Sequence, residues 1–184
     1  MKRQDRSTAH LHDDSTLNAA LRGAIISFMK ITGRPALDVD TDFARSVHHQ
    51  AYREVVVRQY GVWDEEAQDE FFKSDWDPSV FEIILCDGVP CGYTCIEDRD
   101  SDIHVRELVI VPQFQGQGVG TQILRGVIDR ARVRRVPVRL GTLHSNRAVD
   151  LYRRLGFREF ERTGTHILME WSDERANASP NNGM

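Results

Sequence analysis

The sequence predicts one domain of the α/β class, with a mixed, largely antiparallel sheet of six or seven strands flanked by about four helices. A chain of 184 residues is long enough to bury one sizeable core. Its hydrophobic fraction of 40% and charged fraction of 28% are typical of globular proteins. Strand and helix patterns follow one another in the order β, α, α, β, β, β, α, β, α, β, and such an order builds a sheet covered by helices.

The first part of this order is one strand and two helices. The apolar, partly β-branched stretch Ala24 to Thr32 predicts the first strand, and the segment Gly33 to Ala36 is expected to end it. Thr41 and Asp42 can cap a helix from Phe43 to about Tyr60. A second helix is expected from Asp64 to about Phe72.

Three strands follow. Val80 to Cys86 and Cys91 to Glu97 flank Asp87-Gly88, a dipeptide that strongly favours a hairpin. A charged turn leads to the third strand, Ile103 to Val111. The remaining predicted elements are a helix Val119 to Arg134, a strand Val136 to Leu143, a helix Asn146 to Leu155 ended by Gly156, and one or two strands within Phe157 to Trp171.

Composition along the chain predicts the domain limits. Residues 1–25 are expected to form a polar extension, residues 26–172 the folded domain, and residues 173–184 a polar, Asn-rich disordered tail. No apolar run approaches the roughly 18 residues that a membrane span needs. The sequence therefore predicts a cytoplasmic protein without a membrane partner.

The three cysteines, Cys86, Cys91 and Cys95, form no CxxC pair. Their odd number and spacing argue against a disulfide framework and against a zinc site. We expect reduced cysteines packed in strands and no bound metal.

Charge is distributed unevenly. Residues 105–162 hold 12 Lys and Arg against 5 Asp and Glu, whereas residues 1–104 hold 11 against 20. A basic half suits a polyanionic ligand. The basic residues are not interleaved with aromatic ones and the net charge is −4, which argues against nucleic acid as that ligand.

A glycine-rich loop, Gln115 to Gly120, joins the third strand of the central run to the long helix. Its glycines let a ligand approach the backbone, and the first amides of the helix lack partners within the helix. These amides carry the positive end of the helix dipole, so a pyrophosphate would fit there.

The spacing of this loop separates it from two other phosphate loops. No lysine follows the glycines, as a Walker A loop requires, and the pattern is GxGxG late in the chain rather than a Rossmann GxGxxG after the first strand. The pattern Q/R-x-x-G-x-G/A remains. A tight turn that binds nothing would also explain the glycines.

A second motif follows in the segment Asn146 to Phe157, which reads N-R-A-V-D-L-Y-R-R-L-G-F. With the loop before it, it resembles the GNAT superfamily, the general N-acetyltransferases. The resemblance covers roughly Ile26 to Trp171 and is strongest from Glu107 to Phe157, while Met29 to Ala36 resembles the first strand of many such domains.

The resemblance implies a GNAT-like fold and acetyl-CoA as co-substrate. It implies that Leu108, Val109 and Ile110 offer backbone groups to the pantetheine arm and that Asn146 hydrogen-bonds the same arm. The residues implied for the pyrophosphate are Gln115, Gly116, Gln117, Gly118, Val119, Gly120 and Thr121. The arginines that could meet the adenosine 3′-phosphate, or could simply form a solvated face, are Arg125, Arg147, Arg153 and Arg154.

In the family an amine attacks the acetyl thioester directly in a ternary complex, so a base and a proton donor are sought. Tyr152, by its motif position, is the predicted acid, although it could also be a packing residue. Glu107 is the predicted base, because it shares a strand face with Val109 and Val111 and burial among apolar neighbours raises a carboxyl pKa. His104, His166 or a water relay are alternatives. The base that some members carry on the next strand is absent, since Gly141 stands there.

The acceptor is expected to bind near the early helices and the last strands. Aromatic residues (Tyr60, Trp63, Phe71, Phe72, Trp76) and acids (Asp64, Glu65, Glu66, Asp69, Glu70) are concentrated in this early region. They suggest a cationic small-molecule amine, although acids that suit a helix start and aromatics that fill a core explain them more simply. Acceptors in proteins or peptides, a non-catalytic acyl-CoA sensor and a homodimer stay open.

Overall fold

The computed structural model describes residues 29–173. The predicted extension (residues 1–25) and nearly all of the predicted tail lie outside the described residues. The strands are β1 Ile31–Pro35, β2 Glu82–Cys86, β3 Val89–Asp98, β4 Ile103–Ile110, β5 Val138–Leu143, β6 Arg158–Arg162 and β7 His166–Trp171. The α-helices are α1 Thr41–Tyr60, α2 Glu65–Asp75, α3 Val119–Arg134 and α4 Ala148–Arg154, and 3₁₀ turns lie at Asp38–Asp40 and Pro112–Phe114.

The seven strands form one sheet in the order β1-β2-β3-β4-β5-β7-β6. Every neighbouring pair is antiparallel except β4 and β5, which are parallel. A parallel pair needs a crossover, and α3 supplies it. The predicted α/β class, the mixed sheet and the number of helices are confirmed.

The first strand lies later in the chain than predicted. β1 runs through Gly33, Arg34 and Pro35, which the sequence suggested as its end, and pairs with β2 from Ile31 opposite Cys86 to Pro35 opposite Glu82. The earlier half of the predicted strand, residues 24–28, lies outside the described residues. Pro35 is tolerated because β1 is an edge strand, where a missing amide donor breaks no ladder.

Helices α1 and α2 cover one face of the sheet. Ala44 and Val47 of α1 and Phe72 of α2 are buried against Ile83 of β2 and Val109 of β4. Asp64 accepts a hydrogen bond from the amide of Ala67 at 3.0 Å and so caps α2.

Helices α3 and α4 cover the opposite face. Leu124 and Val127 of α3 and Tyr152 of α4 pack on Leu140 of β5 and Met169 of β7. Gly156 adopts a φ of 93° and ends α4, as predicted. Each half of the chain thus buries its helices against a different side of one sheet.

The turns and cysteines also follow the sequence. Asp87 and Gly88 both have positive φ, 52° and 84°, in the hairpin between β2 and β3. Cys86, Cys91 and Cys95 are free, buried thiols in these two strands. None of the helices between residues 29 and 173 is long and apolar enough to cross a membrane.

Candidate active site

The site lies where the sheet divides between β4 and β5. These strands pair only from Ile103 opposite Val138 to Val105 opposite Leu140. Beyond Val105, β4 continues beside β3 alone, as far as Ile110 opposite Gly92. The edge of Leu108 to Ile110 that faces β5 is therefore unpaired and can accept an extended ligand as a further strand.

A bulge in β4 decides which way the next side chains point. In the ladder with β3, Cys95 lies opposite Glu107 and Ile96 opposite Val105, so Arg106 is an extra residue. Before the bulge, Ile103 and Val105 pack on the α3 side of the sheet. After it, Val109 and Val111 pack on the α1 side. The bulge turns Glu107 toward α1.

Glu107 is held by a residue of α1. The hydroxyl of Tyr52 donates a hydrogen bond of 2.8 Å to Oε2 of Glu107. Burial raises the pKa of Glu107 to about 7, and the Tyr52 hydrogen bond opposes the rise because it stabilises the carboxylate. A carboxyl group with this pKa can take up and release a proton near neutral pH.

Tyr152 approaches the same region from α4. It is buried, and its ring lies 5.9 Å from that of Phe157. Burial, with a further contribution from the charge of Glu107, raises the pKa of Tyr152 to about 12. Tyr152 therefore keeps its proton throughout the physiological pH range.

Glu107 and Tyr152 line one cavity of about 590 Å³, a size suited to a small organic ligand. Leu108 and Asn146 line it as well. One wall comes from His48, Tyr52, Val56 and Tyr60, which recur every fourth residue along α1. The opposite wall is the exposed face of β5 and β7, which includes Gly141, Leu143, His166 and Leu168.

The glycine-rich loop lies outside this cavity, at the far end of β4. Gly116 and Gly118 have φ values of 72° and 85°, a region open mainly to glycine. The amide of Gln122 is the first to bond back within the turn, to the carbonyl of Gly118. The amides of Val119, Gly120 and Thr121 have no acceptor among residues 29–173 and carry the positive helix end.

Two groups predicted to bind the pantetheine arm, the carbonyl of Ile110 and the side chain of Asn146, already make hydrogen bonds within the protein. The side-chain amide of Gln115 donates to the carbonyl of Ile110 at 2.7 Å, so this glutamine fixes the loop on β4. Oδ1 of Asn146 accepts from the amide of Ala148 at 2.9 Å, at the start of α4. The side-chain NH₂ of Asn146 is the part that this bond leaves for a ligand. The side chain of Val109 is buried toward α1 and its carbonyl faces Gly92 of β3, so Leu108 and Ile110 are the residues that present backbone groups to the gap.

The alternative bases differ in their surroundings. His104 is half-buried in the cavity wall, and burial, followed by the charge of Arg99, lowers its pKa. His166 is exposed and bonds the hydroxyl of Thr165. Neither contacts Glu107, and Gly141 adds no side chain to the wall.

The acids of α2 do not line the cavity, contrary to the hypothesis of a carboxylate-steered cationic acceptor. Glu65 contacts His49, Arg53 and Trp63, and Asp69 contacts Arg45 and His49. Trp76 and Phe72 fill the core, whereas Tyr60 and Phe71 reach the cavity. The simpler explanation, helix capping and core packing, accounts for most of this region.

The arginines considered for the 3′-phosphate lie on the surface. Arg147 pairs with Glu54 at 3.0 Å, and Arg153 lies 3.6 Å from Asp150. Arg125 and Arg154 are exposed. Within residues 29–173, no group of three or more His, Cys, Asp or Glu side chains is placed to hold a metal ion.

Sequence reasoning missed Tyr52 and His48. The sequence did hold a signal, because both residues belong to a stripe on α1 that recurs every fourth residue and continues to Val56 and Tyr60. His48 is buried, and burial lowers its pKa. A polar and aromatic stripe next to an apolar one indicates a helix that borders both a core and a cavity.

A divided sheet, a glycine-rich helix start at the far end of β4 and a half-buried carboxyl group bonded by a phenol are together the features of a protein of the N-acyltransferase class. The family model described as Acetyltransferase (GNAT) family matches residues 48–157. The chain belongs to this family of acetyl-CoA-dependent acyltransferases.

Individual relatives are distant. An uncharacterized N-acetyltransferase of Methanocaldococcus jannaschii is 27% identical over 96 residues, which is 51% of this chain and 41% of that protein, so the match spans less than half of the relative. The PaiA N-acetyltransferase of Thermoplasma acidophilum, solved in complex with coenzyme A, superposes with a TM-score of 0.65 at 15% identity over 79% of this chain and 100% of that one. The ribosomal-protein-S18-alanine N-acetyltransferase of Escherichia coli gives a TM-score of 0.53 at 20% identity over 84% and 100% of the two chains. Both structures share the fold.

Proposed function

We propose that this protein transfers the acetyl group of acetyl-CoA to the primary amine of a small molecule, by direct attack within a ternary complex. The observation that carries the proposal is that Glu107 and Tyr152 line one cavity at the point where β4 separates from β5. Such a gap gives an extended thioester a place between two titratable groups whose pKa values differ, about 7 and about 12. The protein would act in the cytoplasm.

The features of β4 and α3 fit acetyl-CoA. The unpaired edge of Leu108 to Ile110 suits the amide groups of a pantetheine arm, and the NH₂ of Asn146 can donate to it. The partner-free amides of Val119 to Thr121 suit a pyrophosphate, and Gly116 and Gly118 leave the backbone accessible. The thioester would then lie near the start of the gap, beside Glu107 and Tyr152.

In this proposal Glu107 is the general base. The acceptor reacts as the neutral amine, after its ammonium has lost a proton to water, and the Glu107 carboxylate accepts the proton that the nitrogen gives up on attack, directly or through one water. The amine nitrogen bonds the thioester carbonyl carbon, the tetrahedral intermediate collapses, and the carbon–sulfur bond breaks. Tyr152 gives its proton to the departing sulfur, so that an amide and coenzyme A leave the site.

Acetyl transfer is tested by incubating acetyl-CoA with a panel of primary amines and measuring free thiol, with the acetylated amine identified by mass. We expect amine-dependent thiol release that falls in Glu107→Gln and in Tyr152→Phe. Thiol release that does not depend on an amine, with an unmodified panel, would contradict the proposal. Arg130→Gln, on the outer surface of α3, is a matched control.

A protein or peptide acceptor is the second candidate, because the E. coli structural neighbour is named for an alanine of a ribosomal protein. The cavity is open at the exposed face of β5 and β7, which a peptide could reach. A non-catalytic acyl-CoA sensor would bind acetyl-CoA and acetylate neither class of acceptor. That the protein forms a homodimer, and that its folded domain spans residues 26–172, stay predictions.

A further inference from the structure

The charged side chains that line the cavity are mostly arginines. Three guanidinium groups, of Arg99, Arg106 and Arg139, face the carboxyl groups of Asp102 and Glu107. Since the pKa of Glu107 is about 7, that group carries only part of a charge at neutral pH. Within the lining itself arginines therefore outnumber charged acids, and those of their N–H donors that are not used within the protein can bind an anionic group of an acceptor.

Each arginine is held by a carboxylate that lies outside the cavity lining. Arg99 bonds Glu97 at 2.9 Å through Nε, Arg106 bonds Asp75 at 2.6 Å, and Arg139 bonds Glu170 at 2.8 Å through Nε. A guanidinium has five N–H donors, so these bonds orient the groups and leave donors for a ligand. They also hold the side chains in place before a ligand arrives.

Arg139 has the most favourable position of the three. It lies on β5 opposite His104 of β4, on the exposed face of β5 that lines the cavity, and stacks over the ring of Phe160 at 5.7 Å. Its Nη1 is 3.6 Å from Oδ2 of Asp102, which is beyond a hydrogen bond. Oδ1 of Asp102 is buried and has no hydrogen-bond partner. A ligand with both a donor and an acceptor would complete this corner of the cavity.

The spacing sets the size of the acceptor. His104 and Glu107 lie opposite Glu97 and Cys95, which are two residues apart on β3, so roughly 7 Å of strand separates Glu107 from the Arg139 register position. Val56, Phe71 and Leu168 contribute apolar side chains to the same lining. A small amine with an apolar body and an acidic group can span from the base to this arginine.

We propose that the acceptor is a primary amine that also carries a carboxylate, of amino-acid or dipeptide size, and that Arg139 binds the carboxylate while Glu107 serves the amine. This inference rests on the proposed acetyl transfer and names its substrate class. An amine with a carboxylate takes the place of the purely cationic acceptor that the sequence suggested, because the acids of α2 lie outside the cavity.

The test compares matched acceptors. Leucine, phenylalanine and 6-aminohexanoate are each assayed beside the corresponding carboxamide and the corresponding amine without the carboxyl group. We expect kcat/KM to be about tenfold or more higher for at least one free acid than for its carboxamide, the effect of one charge-assisted hydrogen bond. Arg139→Gln should bring the ratio of kcat/KM between acid and carboxamide close to one, and Arg139→Lys should restore part of the preference.

Controls separate this inference from the proposed function. Arg130→Gln removes an arginine that pairs with Asp98 on the outer surface and should keep the preference. Arg99→Gln is a second cavity variant, and thermal melting checks that each variant is folded.

If carboxamides or plain amines react as well as the acids, or if Arg139→Gln keeps the preference, the inference is wrong and acetyl transfer stands. If acetyl-CoA binds by calorimetry but none of the nine amines reacts, the inference is also wrong. If acetyl-CoA does not bind, the proposed function is wrong.

Discussion

The hydroxyl of Tyr52 donates a hydrogen bond of 2.8 Å to Glu107, and this contact ties α1 to the β4 residue that follows the bulge. Tyr52 is partly buried, and its own pKa is raised well above the usual value by burial and by the charge of Glu107. The phenol therefore remains a donor, and its bond favours the ionised carboxyl group. Burial has the opposite effect on Glu107, and the balance places its pKa at about 7.

Replacing Tyr52 with Phe removes the hydrogen bond that lowers the pKa of Glu107, so the pKa of this carboxyl group should rise. If Glu107 is the base, the acidic limb of the kcat/KM profile for acetyl transfer shifts to higher pH by about one unit. The measurement is kcat/KM between pH 5 and 9. Tyr60→Phe, on the same helix and not bonded to Glu107, should leave the limb in place. An unshifted limb in Tyr52→Phe would rule out this role for the hydrogen bond.

Stability should fall as pH rises through the pKa of Glu107. The folded-state pKa, about 7, lies above the ordinary 4.5, so the folded protein binds this proton more tightly than the unfolded chain. The resulting stability is fully present below pH 4.5 and is lost as pH rises to about 7, by up to about 3 kcal/mol.

Glu107→Gln removes this titration. The difference in unfolding free energy between the variant and the wild type, measured by denaturant titration from pH 5 to 8, should move in favour of the variant as pH rises. A difference that is constant across this range would mean that the folded-state pKa of Glu107 is ordinary.

Tyr152→Phe tests the proposed proton donor. The change keeps the buried ring and its packing on Phe157 but removes the proton that the leaving sulfur needs. We expect kcat to fall about 100-fold while the Kd for acetyl-CoA, measured by calorimetry, stays within about threefold. Since the pKa of Tyr152 is about 12, the wild type should show no loss of activity below pH 10 from this group. An unchanged kcat would leave Tyr152 a packing residue.

Gly118→Ala tests the phosphate loop. Gly118 has a φ of 85°, which an alanine adopts only with strain, and it precedes the partner-free amides of α3. The variant should raise the KM for acetyl-CoA about tenfold or more without changing the KM for the acceptor. Gly126→Ala, in the middle of α3 with open space around it, is the matched control. It should leave both constants unchanged and stabilise the protein by about 0.5–1 kcal/mol.

Periodicity and turn signals predicted most of the fold because they are local. The limits of α3 and the turns at Asp87-Gly88 and Gly156 match the sequence prediction. The end of β1 does not, because pairing with β2 carries the strand through Pro35, and pairing partners distant in sequence are not encoded locally.

The site was predictable in part for the same reason. Glu107 and Tyr152 were named as candidates from strand alternation and motif position, and both line one cavity, but their roles stay predictions. The bulge at Arg106 could not be predicted, and without it the alternation of β4 would place Glu107 on the same side as Ile103 and Val105. Tyr52 was missed since its partner lies 55 residues away. The acids of α2 were wrongly expected to bind the acceptor. Their partners His49, Arg45 and Arg53 come from α1, and such a contact between helices is not visible in the sequence.

The most direct test of the account is the pH dependence of acetyl transfer in the wild type and in Glu107→Gln, measured as thiol released from acetyl-CoA with a saturating amine. If Glu107 is the base, the wild-type rate rises with pH through an apparent pKa near 7. The rate of Glu107→Gln is then lower by about 100-fold or more at pH 8 and lacks this limb. A variant with the wild-type rate and the same limb would contradict the assignment of Glu107 as the base.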